Sequence, residues 1–561
     1  MNIFQKRLLI LLIFFSAFFL RVPAYFNDYY DVDELSAIVQ TKQYFSGLIP
    51  GIDFKESKLP VYHALFKFCY LVSPSSGWIL LHILTAVIAG LTAVFVYKTA
   101  KLVSSAEKTA LIAGILYSVM ISSFNRYFMA TNGEIIYNLP LIAGCYFFCR
   151  FINKGKLAHR ILYAAAFFIS AILTSQIKFH GIILFFMSAF YGLFILPAAS
   201  KGFTIKYFMR VFIILSSAAF IFLMDYLFFN IFSNKLMYNI SGKIGYATLV
   251  YGMEPLSFIT KYLHRQILLA IWHPLIWISF FIFIFSYVKS RKFLTAKKDE
   301  LFIVFCSAIT FLMVFSGGKR LYFHYFMTAY PFISILSAIF IMEYSYKISL
   351  FFRKHILKFI LIPAVFFFIF NVKDCLIKHF APDQFINENR ISYYFRLIFL
   401  GTTNDYLMPD KLYNKAVNYI RNNTKESDKI FVWGDGAYFY YFTNRLPALY
   451  HMWPKGTILS TLNSYSANTP QSINEARKNE FYFIYFIEKY QAELFIDTSE
   501  AAVSKLGSLS PFPYKITPGI KSYLDNYYIY ETTVDKHRIY RRKNGLKNAA
   551  GKRLSENKNR R

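Results

Sequence analysis

Over the first two thirds of the chain, apolar residues come in nearly unbroken runs, and polar residues are confined to the gaps between them. Runs of this length with few charges predict helices that cross a bilayer. The first follows Lys6-Arg7 and ends at Leu20; others lie near 77–97, 109–124, 135–149, 161–176, 180–196, 211–229, 267–288, 301–315, 324–342 and 356–371. They predict about eleven spans. No small-residue cleavage site follows Pro23, so the first run is expected to remain as a span rather than to leave as a signal peptide. From about residue 372 the runs shorten and turn residues appear. Lys429 to Trp433 reads as a strand, Ala437 to Phe442 as helix or strand, Phe481 to Ile487 as a helix and Glu493 to Ile496 as a buried strand, with Phe512, Pro513 and Pro518 marking loops. The expected fold is an α-helical polytopic membrane domain over 1–371, a soluble α/β domain over 372–535 and a basic, disordered tail over 536–561.

Composition agrees with lipid as the main solvent. Of 561 residues, 56% are hydrophobic and 17% charged, with 64 Phe and 44 Tyr and a mean hydropathy of +0.38. That excludes a cytosolic enzyme, a disordered chain and a secreted disulfide scaffold. The five cysteines, at 69, 145, 149, 306 and 375, show no metal-type spacing. The net charge of +31 matters through its distribution. With the N-terminus cytoplasmic, the inside segments 2–7, 98–108, 150–160, 201–210, 289–298 and 347–358 hold 21 Lys or Arg in 60 residues. The outside segments 21–58, 123–133, 174–180, 230–265 and 316–323 hold 12 in 100. This bias predicts a cytoplasmic N-terminus, and an odd span count then places the C-terminal domain outside. Basic residues in short gaps between apolar runs are topology signals, so no nucleic-acid partner is expected. The tail carries eleven Lys or Arg from Lys536 onward, as solvated charge or as a contact for anionic headgroups.

The first outside loop is different in carrying six carboxylates, Asp28, Asp31, Asp33, Glu34, Asp53 and Glu56, directly after a span. A carboxylate at that level is a general base, a metal ligand or a solvated loop charge. Asp33-Glu34 is followed by a helical stretch to Phe45, then Gly47, Pro50, Asp53 and Lys58-Leu59-Pro60, which opens a short apolar segment to Val72. This order resembles the first extracytoplasmic loop of the GT-C membrane glycosyltransferases, in the branch of the protein O-mannosyltransferases and the lipid A aminoarabinose transferase. Asn132-Gly133-Glu134, Lys178, His324-Tyr325 with Pro331, and the run from Lys429 through Trp433-Gly434 and Tyr438 to Asn444-Arg445-Leu446-Pro447 are similar to positions of the same branch. Leu59 departs from the pattern, since many relatives place the lysine directly before the proline.

The resemblance implies a transferase that takes a sugar from a polyprenyl-phosphate donor and delivers it to an envelope lipid, glycan or protein on the outer face of the cell (inner) membrane. Asp33 would be the general base of an inverting displacement, with Glu34 orienting it or holding a metal. The leaving phosphate calls for fixed positive charge, for which Lys58, Arg126, Lys178, Lys319 and Arg320 are candidates; each is also placed to be an interfacial anchor. His324 is a candidate metal or phosphate ligand, or a hydrogen-bonded structural histidine. A divalent metal ion is the one cofactor considered. Asp225 lies deep in the seventh run, where a carboxylate is costly. The competing reading is a lipid-linked-sugar flippase or secondary transporter, which would show inverted repeats and midplane polar residues; no such symmetry is visible, and the polar clusters sit in loops at one face. A glycan polymerase or ligase would place its basic residues in large later loops. No phosphate loop, H-E-x-x-H or G-x-S-x-G motif occurs.

Overall fold

The structure is a computed structural model that describes residues 2–26, 31–50, 52–54, 59–74, 77–122, 126–153, 156–178, 181–192, 262–263, 269, 273–291, 297–314, 323–352, 414–434, 436–450, 461, 469–498 and 517–543. Its helices are α1 (Ile3–Leu20), α2 (Val32–Phe45), α3 (Pro60–Val72), α4 (Gly77–Ser104), α5 (Glu107–Ile121), α6 (Arg126–Met129), α7 (Gly133–Ile152), α8 (Leu157–Ile177), α9 (Ile182–Phe190), α10 (Pro274–Lys289), α11 (Lys298–Met313) and α12 (Tyr330–Phe352). Then come α13 (Asn414–Asn423), β1 (Lys429–Trp433), α14 (Ala437–Thr443), β2 (Leu446–Pro447), α15 (Pro470–Lys489), β3 (Leu494–Asp497), α16 (Pro518–Tyr527), β4 (Tyr528–Val534) and β5 (His537–Arg542). The chain divides into two compact units, Met1–Asp31 with Lys58–Thr402, and Val32–Ser57 with Thr403–Arg561.

The described residues of the first unit are mostly helical. Among the described residues four helices are long and apolar enough to cross a membrane, Gly77–Ser104, Gly133–Ile152, Leu157–Ile177 and His324–Tyr344. Each falls on a run picked out by the hydropathy pattern; the runs at 211–229 and 356–371 lie outside the described residues. Small residues let the helices approach closely, as membrane helices require in the absence of a hydrophobic drive between them. A Cβ at Gly90 of α4 would stand 2.8 Å from the Phe14 backbone oxygen of α1. Large apolar side chains face outward, among them Phe19, Leu157, Ile161, Leu162, Ile169 and Phe285. Such a surface is stable only where lipid covers it.

The second unit is an α/β module with a five-stranded sheet in the order β2-β1-β3-β5-β4. Strands β2, β1 and β3 are parallel, with Ile430 opposite Leu494 and Trp433 opposite Asp497; β5 runs antiparallel to β3, and β4 to β5. The central strands are covered on both faces, which is why β1 and β3 read as continuous apolar runs. Phe431, Trp433 and Phe495 pack with Phe483 and Ile487 of α15 and Ile520 and Leu524 of α16. Helix α15 starts at a capping box, Thr469 with Ser472, and Pro470 occupies its first turn. Two boundaries differ from expectation. Residues 32–57 group with this module, and β5 lies inside the stretch expected to be a disordered tail. The basic stretch of β5 holds buried residues on both faces of the strand, His537 and Ile539 on one and Arg542 on the other.

Candidate functional site

Charged side chains collect where candidate spans of the first unit begin and end. Glu134 is the second residue of α7, Lys178 directly follows α8, and His324 is the first residue of the span His324–Tyr344. Helices α7 and α8 are consecutive and pack together, so the start of one and the end of the next share one end of the bundle. The Lys178 ammonium pairs with the Glu134 carboxylate, their side chains 13% and 2% exposed. It also stands 5.3 Å from the centre of the Tyr325 ring. His324 Nε2 is 3.9 Å from Glu134 Oε1, and its Nδ1 is 3.9 Å from Asp31 Oδ2, both carboxylates being buried. A Cβ at Gly133 would stand 2.9 Å from Lys178 Cε, so glycine there leaves the lysine its path to Glu134. Charges withdrawn from water in this way persist only when paired.

Buried hydrogen bonds hold the backbone around this cluster. The Arg21 guanidinium, fully buried, donates from Nη1 to the carbonyls of Ile121 (3.0 Å) and Phe128 (2.5 Å) and from Nη2 to that of Met129 (2.6 Å). Tyr62 donates to the Thr131 carbonyl at 2.9 Å, and the hydroxyls of Thr85 and Thr131 meet at 3.0 Å. Asn138 donates to the Met327 carbonyl at 2.9 Å, joining α7 to the short 3₁₀ helix Phe323–Ala329 that carries His324.

In the second unit, Asp33 and Glu34 occupy the first turn of α2, where the unpaired N–H groups of the helix favour negative charge. Asp33 is half-buried and Glu34 fully buried. After α2 the chain turns at Gly47, whose φ of +82° lies in the left-handed region open to glycine. Asp53 closes the loop that follows, its Oδ2 accepting from the Ile49 N–H at 2.9 Å. Its Oδ1 accepts from Lys489 Nζ at 2.8 Å and from the Tyr490 hydroxyl at 3.1 Å, and Tyr490 also reaches the Asp53 carbonyl at 2.8 Å. Burial pushes the Asp53 carboxyl up, but the bonds from Lys489 and Ile49 and the Lys489 charge outweigh it and hold the group below its ordinary value.

The residues singled out in the sequence thus fall into three sets. Lys178 and His324 are brought together, in company with Glu134 and Asp31. Asp33 and Glu34 sit side by side on α2. Lys58, Lys319, Arg320 and Asp225 lie outside the described residues, as does the side chain of Arg126, whose backbone opens α6. Among the described residues no group of three or more His, Cys, Asp or Glu side chains forms a metal site. His324 meets its two carboxylates through opposite ring nitrogens, an arrangement that spreads the groups apart instead of converging them on one ion. The sequence reading ranked Asp31 below Asp33, and it placed Glu134 in a motif without a partner and Arg21 among outside-loop charges. The signal for Arg21 and Glu134 was an ionisable residue bordering an apolar run; Asp31 was one of six carboxylates in the first outside loop.

No family model matches the sequence, and no curated protein matches it. The fold does have solved counterparts. It is similar to ArnT from Cupriavidus metallidurans bound to undecaprenyl phosphate, with a TM-score of 0.57 and 10% identity over 97% of this chain and 99% of that one. The apo state of the same protein gives a TM-score of 0.51 and 10% identity over 91% of this chain and 92% of that one. At this identity the likeness concerns the fold: a mostly helical membrane-protein fold that both chains share over nearly their full lengths.

Proposed function

We propose that this chain is an integral membrane glycosyltransferase that moves a sugar from a polyprenyl-phosphate donor to an envelope lipid, glycan or protein acceptor on the extracytoplasmic face. The observation that carries the reading is the likeness, over 97% of the chain, to a fold that in ArnT was solved with undecaprenyl phosphate. Charged groups gathered at one end of the spans support it, because such a reaction moves a sugar from a lipid-borne phosphate to an acceptor hydroxyl at the membrane surface. In the proposed step the acceptor oxygen attacks the anomeric carbon from the face opposite the phosphate. The carbon–oxygen bond to the phosphate breaks, polyprenyl phosphate leaves with the electron pair, and the acceptor proton passes to Asp33, with inversion. Glu34, beside Asp33 on α2, orients the base. Lys178 is the described cation proposed to meet the donor phosphate, sharing its charge between that anion and Glu134. Lys58, Arg126, Lys319 and Arg320 are proposed for the same role from sequence. A divalent metal is not assigned to any described residues.

The test is mass spectrometry of envelope lipids and glycans from a deletion strain complemented with wild type, Asp33→Asn or Asp31→Asn. The expected result is one sugar-sized mass lost in the deletion and restored by wild type. Asp33→Asn should lower transfer by roughly 10²–10⁴-fold, the usual contribution of a general base, and Asp31→Asn by less. Full activity in a normally inserted Asp33→Asn protein would remove the catalytic assignment. An unchanged glycan profile with a lipid-linked precursor accumulating on the inner face would replace transfer by flipping.

A further inference from the structure

The loop that carries Asp33 and Glu34 does not stand alone: residues 32–57 are part of the same compact unit as the α/β module. Two polar attachments tie them to it. At the C-terminal end of α2, Lys42 Nζ donates to Asn444 Oδ1 at 3.1 Å and lies 4.9 Å from the centre of the Tyr441 ring, both residues belonging to α14 and its cap. Beyond the Gly47 turn, Asp53 is gripped by Lys489 and Tyr490 at the end of α15, while its second oxygen folds its own loop through Ile49. Phe54, next in the chain, is 1% exposed. The grip comes from a rigid element, because α15 packs through Phe483 and Ile487 into the core of the sheet. Tyr490 is itself held by two cations, with Lys429 Nζ 4.3 Å and Lys489 Nζ 5.1 Å from its ring centre. An exposed carboxylate that only kept the loop soluble would need none of these partners.

We infer that Asp53, Lys489 and Tyr490 form a positioning clamp, through which the α/β module fixes the loop that presents Asp33 and Glu34. The inference rests on the transfer reading given above and assigns the module a part in the reaction. Asp53 touches no reacting atom in this account. It acts by limiting how far the two carboxylates wander, and misplacement by about 1 Å costs on the order of a hundredfold in rate.

The experiment measures transfer by the full-length protein in membranes for wild type, Asp53→Asn, Lys489→Met, Lys489→Arg and the double variant, together with hydrogen–deuterium exchange over residues 46–54 and over β1 and β3. The expected pattern is a kcat about tenfold to a hundredfold lower in Asp53→Asn and Lys489→Met, with KM for the donor unchanged. The double variant should be no worse than either single one, and Lys489→Arg, which keeps the charge, should stay near wild type. Faster exchange should be confined to 46–54, with β1 and β3 protected as before. Wild-type kcat in Lys489→Met despite a loosened loop would overturn the clamp while leaving the transferase reading intact. A loss of protection spread through β1 and β3 would also overturn it, by showing Lys489 to be a stability residue of the module. Absence of transfer from wild type would instead sink the reading on which the clamp depends.

Discussion

Glu134 and Lys178 show how a span end handles charge. Each is removed from water, so the pair persists through mutual neutralisation, and deleting one member leaves the other buried alone. Breaking such a pair typically costs about 3–5 kcal/mol, whereas removing both members is often close to neutral. Lys178→Met and Glu134→Gln should therefore each lower the unfolding midpoint in detergent, and the double variant should recover most of the loss. Transfer should not recover with it, because the double variant still lacks the cation proposed for the donor phosphate. A double variant that regained both stability and activity would limit Lys178 to a structural role. His324 belongs to the same group, and its two flanking carboxylates explain why it stands at a span end without exposure to water. The sequence placed Lys178 and His324 at such ends correctly. It could not pair them, because the partners lie 44 and 293 residues away along the chain, Glu134 for Lys178 and Asp31 for His324.

Strand β5 carries the clearest lesson at the scale of an element. Its composition, rich in arginine and flanked by lysines, has the character of a solvated tail, yet it is paired between β3 and β4 in the sheet. Arg542 is buried because Glu488 of α15 accepts two bonds from its Nη2, at 3.1 and 2.9 Å. His537 is buried beside Phe439, with ring centres 4.9 Å apart, and its Nδ1 lies 3.2 Å from the Val534 carbonyl. The charge of β5 hid its strand character, whereas β1 and β3, apolar from Ile430 to Trp433 and from Leu494 to Ile496, were legible. The buried histidine makes the module sensitive to acid. Burial lowers its pKa from 6.5 to about 4, against the smaller opposing pull of the Val534 carbonyl and Asp535. Between those values the unfolded state binds the proton more readily than the folded one. Its contribution to stability is thus complete above about pH 7 and lost as pH falls through 6.5 toward 4, at up to about 1.4 kcal/mol per pH unit. Hydrogen exchange of the 537–543 peptide, corrected for intrinsic rate, should accelerate from pH 7 to 5 in wild type and less so in His537→Phe. Equal acceleration in both would assign the acid sensitivity to other groups.

For the molecule as a whole, apolar runs located the described spans because lipid imposes a long, uniform pattern that needs no knowledge of partners. The allegiance of residues 32–57 was hidden for the opposite reason: it depends on Asp53 meeting Lys489 and Lys42 meeting Asn444, contacts that sequence spacing does not encode. Sidedness is a further property of the whole chain, and the charge bias is the argument for it. If the N-terminus is cytoplasmic, the basic segment before α8 faces inward, and the end of α8 that bears Lys178 faces outward, where a lipid-linked donor would meet an envelope acceptor. Lys156 and Ser427 are exposed positions that divide these alternatives. The four described cysteines are buried, so a Cys375→Ser background gives a low-labelling reference. In intact cells an impermeant maleimide should label Ser427→Cys and should reach Lys156→Cys only after the membrane is opened. The reverse pattern would put the Glu134–Lys178 pair on the cytoplasmic face. There a soluble nucleotide-linked sugar would be the natural donor, and the proposal of a polyprenyl-phosphate donor would lose its basis.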